Sequence, residues 1–371
     1  MSRPSLVLLA AGGTGGHLFP AEALSAALAK RDVAVALATD SRAAKFGGHF
    51  PPERVHVVPS ATFRGRDPIS IAKTGATLAY GLVAAYRMLG KVGPAIVVGF
   101  GGYPTVPPVL AATLRGIPTL LHEQNGVMGR ANRFLSARVT AIATGFPGVT
   151  AHDPALAAKT TQIGNPVRPA VVAAAATRFD APGAGEAFRL LVFGGSQGAR
   201  VMADVVPPAV ERLEPRLQMR LKVVQQAREE DLARVREIYA RAGVEAEVAP
   251  FFSDLPARMA QAHLVVSRSG ASTVAELAAI GRPAILVPLP HALDQDQTAN
   301  ARVLEAAGGA LRLPQAEFTP DRVASEMAAL ASDPDRLAAM AKAARGAGVL
   351  DAADRLADLV LKVASVVPGR S

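Results

Sequence analysis

Short, wholly apolar runs alternate along this chain with longer stretches in which apolar positions recur every three or four residues. A short apolar run bounded by turn residues reads as a buried strand. The longer period reads as a helix with one covered face. Strands are predicted at 5–10, 33–38, 55–58, 95–98, 118–121 and 139–143, with helices from about Phe19 or Pro20 to Lys30, at 69–89 and up to about Arg115. After an Ala-rich segment the pattern restarts. Strands are predicted at 189–193, 221–225, 244–249, 264–266 and 284–287, and helices at 229–242, 255–262, 320–331, 334–344 and 352–366. Such alternation predicts an α/β chain built from parallel, doubly wound sheets. The restart divides it into a first domain, 1–165, a linker, 166–187, and a second domain, 188–349.

The most informative stretch runs from Ser267 to Asn300. Ser267 to Ser272 is small and polar, suited to close approach by a ligand, and Ser269 or Ser272 is positioned to cap a helix starting near Thr273. Glu276 is expected in that helix's first turn, and Gly281-Arg282-Pro283 stops it. After the strand at 284–287 comes a polar loop, 291–300, dense in groups that bind hydroxyls. In open parallel sheets, ligands sit where strands end and helices begin.

Three glycine-rich turns follow predicted strands, at 12–16, 99–102 and 194–198. Backbone N–H groups in such turns can cradle phosphate. None matches the dinucleotide fingerprint or the P-loop. His17 follows the first turn and is the candidate general base, and His122, Glu123, Gln124 and Asn125 end another strand. Asp294-Gln295-Asp296 spells D-x-D, but its setting among glutamines favours contact with sugar hydroxyls over a metal.

Composition narrows the classes. The 371 residues are half apolar, carry no cysteine and contain no uncharged apolar run near the roughly 18 residues that span a bilayer. The apolar run 6–11 is too short for a signal sequence, so a cytoplasmic protein, at most peripheral on a membrane, is expected. Residues 1–168 hold 17 Lys+Arg against 7 Asp+Glu, a balance of +10, while the remainder is near neutral. The first half is expected to face something anionic. Nucleic acid is disfavoured, because the basic residues are dispersed and aromatics are only 5%.

Taken in order, GGTGGHLFPA, GGYPTVP, LLHEQN, GNPVR, FGGSQGA and SRSGASTVAELAAIGRPAILVP resemble the MurG family, within glycosyltransferase family 28. The resemblance implies the GT-B fold: two Rossmann-like domains facing across a cleft, with the final helix, about 350–366, returning to the first. It implies inverting transfer of GlcNAc from UDP-GlcNAc to lipid I, undecaprenyl-diphospho-MurNAc-pentapeptide, giving lipid II for peptidoglycan. No cofactor or obligatory metal is implied. The implied setting is the cytoplasmic face of the bacterial inner membrane, with an anionic membrane surface and other cell-wall and division proteins as partners.

Carried over residue by residue, the resemblance makes His17 the base. It makes Thr14, Gly15, Gly16, Asn125, Arg168, Ser196, Phe252, Ala271, Ser272, Thr273, Glu276 and Gln297 donor-binding residues. Gly13, Gly101, Gly102 and Tyr103 are implied for the acceptor and its diphosphate. Phe252 stands where the family often has Ile, and either Asp296 or Gln297 holds the sugar hydroxyls. The competing readings are another UDP-sugar enzyme of the same fold, such as a glycolipid glycosyltransferase, and a non-catalytic UDP-sugar-binding membrane scaffold.

Overall fold

The computed structural model describes residues 6–12, 15–41, 50–61, 67–195, 198–290 and 295–366. Gly13, Thr14, Arg64, Arg66, Ser196, Gln197, His291 and Asp294 therefore lie outside the described residues. The chain forms two units, 1–168 with 350–371, and 169–349.

In the first unit, β1 (Leu6–Ala10), α1 (Gly15–Ala29), β2 (Ala34–Thr39), β3 (Val55–Val57), α2 (Pro68–Val92), β4 (Ile96–Gly99), α3 (Val106–Leu114), β5 (Thr119–Glu123), α4 (Arg130–Ser136), β6 (Ala141–Thr144), α5 (Pro154–Ala157) and β7 (Thr160–Gln162) follow in order. Among the described residues the strands form one parallel sheet ordered β3-β2-β1-β4-β5-β6-β7. Its order reverses beside β1, so the carboxyl ends of β1 and β4 flank the switch point where such sheets take ligands.

In the second unit come α6 (Pro169–Ala174), β8 (Phe188–Phe193), α7 (Arg200–Glu211), α8 (Pro215–Arg220), β9 (Leu221–Gln226), α9 (Leu232–Arg241), β10 (Glu245–Ala249), α10 (Leu255–Gln261), β11 (Leu264–Ser267), α11 (Ala271–Ile280), β12 (Ala284–Leu286), α12 (Asp296–Ala306), β13 (Ala310–Arg312), α13 (Pro320–Ala331) and α14 (Pro334–Ala347). Its parallel sheet is ordered β10-β9-β8-β11-β12-β13, again reversing beside its first strand. The segment read as a linker contributes α6, which packs on α10 and α11 within this unit. The last helix, α15 (Ala352–Val366), belongs to the first unit and lies against α1. Arg31 of α1 reaches Asp354 at 2.7 Å and Asp358 at 3.0 Å. Both carboxylates are half-exposed or more, so the apolar contacts of Leu356 and Val360 carry more of this docking than the ion pairs.

The apolar runs form the two cores. Val7, Leu9, Val98 and Leu120 meet Leu24 and Leu28, and Leu190, Val192, Val266 and Ile285 meet Val206 and Val210. Several boundaries differ from the sequence reading. Helix α1 starts at Gly15, with Pro20 inside it. Only about one turn precedes that proline, so its missing N–H and its ring disturb little of the helix. The polar stretch read as loop up to Asn300 is helical from Asp296, because Asn300, Ala301 and Leu304 supply a narrow buried side.

Candidate functional site

In the first unit, Gly101 and Gly102 leave β4 with φ of 86° and 74°, a left-handed pair that favours glycine. The turn is held against β1. Phe100 N donates to Ala10 O at 2.9 Å, and Thr105 Oγ1 lies 3.1 Å from Ala10 O and 2.6 Å from Gly101 O. Tyr103 follows at the start of a single 3-10 turn. His17 lies in the first turn of α1, and a Cβ built at Gly102 would meet its ring at 3.2 Å. The glycines therefore make room for the imidazole. His17 Nδ1 is buried and has no hydrogen-bond partner among the described residues. Arg168 stacks its guanidinium 4.2 Å from the centroid of the Phe19 ring, which brings it to the N-terminal part of α1 with Gly15 and Gly16. Gly99 has a packing role. A Cβ there would press on Thr105, Leu121 and Val109, so this glycine serves the core and not a phosphate.

At the end of β5, Glu123 is buried and its carboxylate accepts four hydrogen bonds. Oε1 takes Asn125 N at 3.0 Å and Asn125 Nδ2 at 3.2 Å, while Oε2 takes Gly129 N at 2.9 Å and Asn132 Nδ2 at 2.8 Å. His122 is fully buried, and burial pushes its imidazole down to about 4. A carbonyl can only accept, so Nε2 donates to Gly164 O at 3.2 Å and Nδ1 accepts from the Gln124 amide at 3.0 Å. Both ring nitrogens are thereby occupied and the ring is neutral near pH 7. Asn165 Nδ2 closes the cluster on Gln124 O at 2.8 Å. These residues hold the strand end in shape.

In the second unit, Gly194 follows β8 so tightly that a Cβ would collide with the Ala199 backbone nitrogen. Gly194 N donates to Gln226 Oε1 at 3.1 Å. Phe252, after β10, is buried, with the Arg258 guanidinium 4.4 Å from its ring centroid. Helix α11 begins at Ala271 behind Gly270, without a side-chain cap. The capping expectation is thus corrected. Ser269 Oγ donates instead to Gln297 O at 2.8 Å, and Ser272 Oγ is buried without a partner among the described residues. Ser272 and Thr273 lie inside the first turn. Glu276, expected in that turn, is one turn later and buried, because the helix starts two residues earlier than Thr273.

The N-terminus of α12 is tied to the end of β11. Asn300 Nδ2 donates to Ser269 O at 3.2 Å, and Arg268 donates to the carbonyls of Val287 and Pro288 at 3.1 Å each. Gln297 Oε1 accepts Leu289 N at 3.1 Å, which leaves the amide NH2 as the end turned away from the strand. Asp296 Oδ1 accepts Gln297 N at 2.8 Å.

Two family models cover most of the chain: the glycosyltransferase family 28 N-terminal domain matches residues 7–144 and its C-terminal domain residues 189–356. The chain belongs to glycosyltransferase family 28. Among this family's curated members, a protein of Rhodopseudomonas palustris (strain BisB18) is 64% identical over 361 residues, covering 97% of this chain and 96% of its own. One of Bradyrhizobium diazoefficiens (strain JCM 10833 / BCRC 13528 / IAM 13628 / NBRC 14792 / USDA 110) is 61% identical, covering 99% and 100%. Both are named UDP-N-acetylglucosamine--N-acetylmuramyl-(pentapeptide) pyrophosphoryl-undecaprenol N-acetylglucosamine transferase. The crystal structure of Acinetobacter baumannii MurG superposes with a TM-score of 0.78 at 29% identity, covering 97% and 100%. A UDP-N-acetylglucosamine 2-epimerase structure superposes at 0.68 with 16% identity, a likeness of fold. The fold of this family 28 chain is GT-B, and the chain is a glycosyltransferase.

The sequence reading of this family 28 chain missed Asn132, Gln226 and Arg268, which organise the two sheet edges. Asn132 is nine residues beyond Glu123 in a helix that carries little periodic signal, and only the fold joins them. Arg268 stood within the quoted motif, but an arginine in a polar turn is expected to face solvent.

Proposed function

We propose that this chain transfers N-acetylglucosamine from UDP-GlcNAc to the 4-hydroxyl of the MurNAc residue in undecaprenyl-diphospho-MurNAc-pentapeptide, with inversion. The full-length identity above 60% to proteins bearing that activity in their names carries this reading. The acceptor oxygen attacks the anomeric carbon of the sugar. The bond from that carbon to the UDP oxygen breaks, and UDP leaves with the electron pair. His17 takes the proton from the attacking hydroxyl. The charge developing on UDP is met by backbone N–H groups at helix N-termini and in the glycine-rich turns.

In this reading Gly15, Gly16, Thr14, Asn125, Arg168 and Ser196 contact the donor sugar and diphosphate. Phe252 lies beside the uracil. Ala271, Ser272 and Thr273 serve the nucleotide, and Glu276 takes the ribose hydroxyls. Gln297 offers its NH2 to a sugar oxygen. Gly13, Gly101, Gly102 and Tyr103 serve the acceptor and its diphosphate. The deciding assay is transfer of radiolabel from UDP-GlcNAc to a short-chain lipid I analogue. Label in the lipid product is expected. Transfer only to another lipid acceptor, or from UDP-Glc or UDP-Gal instead, removes the assignment.

Glu276→Ala removes the proposed partner of two ribose hydroxyls. Donor KM should rise by the equivalent of roughly 1–3 kcal/mol, with kcat less affected. Isothermal titration with UDP checks this, and unchanged affinity takes Glu276 out of the site.

The enzyme is further proposed to dock reversibly on the anionic cytoplasmic leaflet of the bacterial inner membrane. Among the described residues no helix is long and apolar enough to cross a membrane. Helix α2 buries Gly81, Ala85 and Leu89, half-buries Leu78 and Leu82, and exposes Lys73, Tyr80, Val83, Arg87 and Lys91. An exposed face that mixes apolar and basic groups suits a lipid surface, where each basic residue contributes about 1 kcal/mol. Changing Lys73, Arg87 and Lys91 to Glu should weaken binding to anionic vesicles at least about 100-fold. Activity on a long-chain acceptor should fall and activity on a short-chain one stay. Equal loss on both acceptors would count against docking.

A further inference from the structure

The Glu123 carboxylate can only accept hydrogen bonds, and Asn125 places one end of its amide 3.2 Å from Oε1. That end must be the NH2, since a reversed amide would set two acceptor oxygens against each other. The Asn125 backbone N–H meets the same oxygen at 3.0 Å, so main chain and side chain are fixed together. Glu123 is buried, and its other oxygen is held by Gly129 N and Asn132 Nδ2, so the carboxylate cannot turn to follow Asn125. Asn125 itself is only half-buried, at the carboxyl end of β5, on the sheet edge that carries His17, Gly101 and Gly102.

We propose that Glu123 is a positioning residue that locks the Asn125 amide with Oδ1 turned to the substrate, so that Asn125 recognises a hydrogen-bond donor on the sugar, a hydroxyl or the acetamido N–H, and not an acceptor. This rests on the reading that Asn125 contacts the sugar of UDP-GlcNAc. Glutamine at 123 keeps the shape, but its NH2 must then oppose one backbone N–H, that of Asn125 or of Gly129. With the NH2 on the Asn125 side, the backbone contact is lost and the Asn125 amide is no longer held with its NH2 inward, so N–H groups can be presented where a lone pair is needed.

A double-mutant cycle tests the coupling. Glu123→Gln should lower kcat/KM for UDP-GlcNAc roughly 10–100-fold, mostly through donor KM, and Glu123→Asp should recover part of it. In an Asn125→Ala background the same substitution should cost at least about fivefold less. An equal cost in both backgrounds means Glu123 does not act through Asn125. A second measurement needs no change at position 123. Wild-type enzyme and Asn125→Ala are assayed with UDP-GlcNAc analogues carrying hydrogen or fluorine in place of each free sugar hydroxyl, and with one whose acetamido nitrogen is methylated. The position whose loss no longer matters in Asn125→Ala marks the contact. If it is a hydroxyl, fluorine there should be no better than hydrogen, because fluorine cannot donate. If it is the acetamido N–H, the methylated analogue should be the one that fails. A fluoro analogue that clearly outperforms its deoxy counterpart, or the absence of any such position, overturns the proposal. Wild-type enzyme that does not turn over UDP-GlcNAc at all overturns the underlying function instead.

Discussion

Replacing His17 with alanine should lower kcat by about 10²–10⁴-fold while UDP binding stays nearly intact. The expectation rests on what the neighbouring groups are doing. The sequence offers three titratable residues near the ends of β1 and β5: His17, His122 and Glu123. His122 is neutral by burial and has both ring nitrogens occupied. Glu123 is held on both oxygens, Oε1 by Asn125 and Oε2 by Gly129 and Asn132, in a network that shapes the strand end. His17 alone of the three keeps a ring nitrogen without a partner among the described residues. Its ring is packed on Gly101 and Gly102, which limits its rotation and gives a base its aim. Rapid-quench measurement of the chemical step, with UDP affinity measured separately, separates base from anchor. A fall in kcat below tenfold would leave His17 a positioning role and point to the substrate itself as proton acceptor.

The parts of the fold that were legible are those whose energy comes from burial on both faces. The stretches 190–193 and 264–266 are continuous apolar runs because helices cover both sides of a parallel sheet, and the strands predicted at 189–193 and 264–266 form β8 and β11 within one residue of the predicted ends. Of the four edge strands, β3 and β10 were read at 55–58 and 244–249, while β7 and β13 were not. In β7, Thr160-Thr161-Gln162 is half-exposed to exposed, so nothing in its side chains announces a strand. In β13, three residues sit between two helices and read as a turn. The site divides the same way. Glycines after strands, His17 and the 267–276 stretch stand out because each departs from what a strand or helix wants. The hydrogen bonds that fix Glu123 and Gln297 are invisible in sequence, since each depends on a donor brought by another segment: Gly129 and Asn132 at the start of α4 for one, Leu289 N for the other.

Arg282 was legible only as part of a helix stop, and its replacement by methionine should destabilise the second unit by roughly 3–5 kcal/mol. The side chain is 1% exposed. Nε donates to Ala260 O at 3.0 Å, Nη1 to Ile280 O at 3.2 Å and Gly281 O at 3.0 Å, and Nη2 to Thr177 O at 3.1 Å, with a further contact from Nη2 to Ala260 O. No acidic side chain takes part in these bonds. Three of the four acceptors, Ala260, Ile280 and Gly281, are carbonyls at the carboxyl ends of α10 and α11, where backbone oxygens lack intrahelical partners and a cation meets the negative end of the dipole; the fourth, Thr177, follows α6. Burial pushes the guanidinium down to about 10, with neighbouring Arg345 adding in the same direction, so it remains charged near neutral pH. Methionine fills much of the volume but leaves these carbonyls in an apolar setting without donors. Lysine should restore little, because one ammonium cannot span four acceptors spread across three segments. Since α11 also carries Glu276, loosening its far end should raise donor KM while leaving the His17-dependent chemistry in place. Urea unfolding followed by circular dichroism, with and without UDP, measures both effects. A loss below about 1 kcal/mol would mean that water replaces the guanidinium at these carbonyls and that Arg282 is not the anchor of α11.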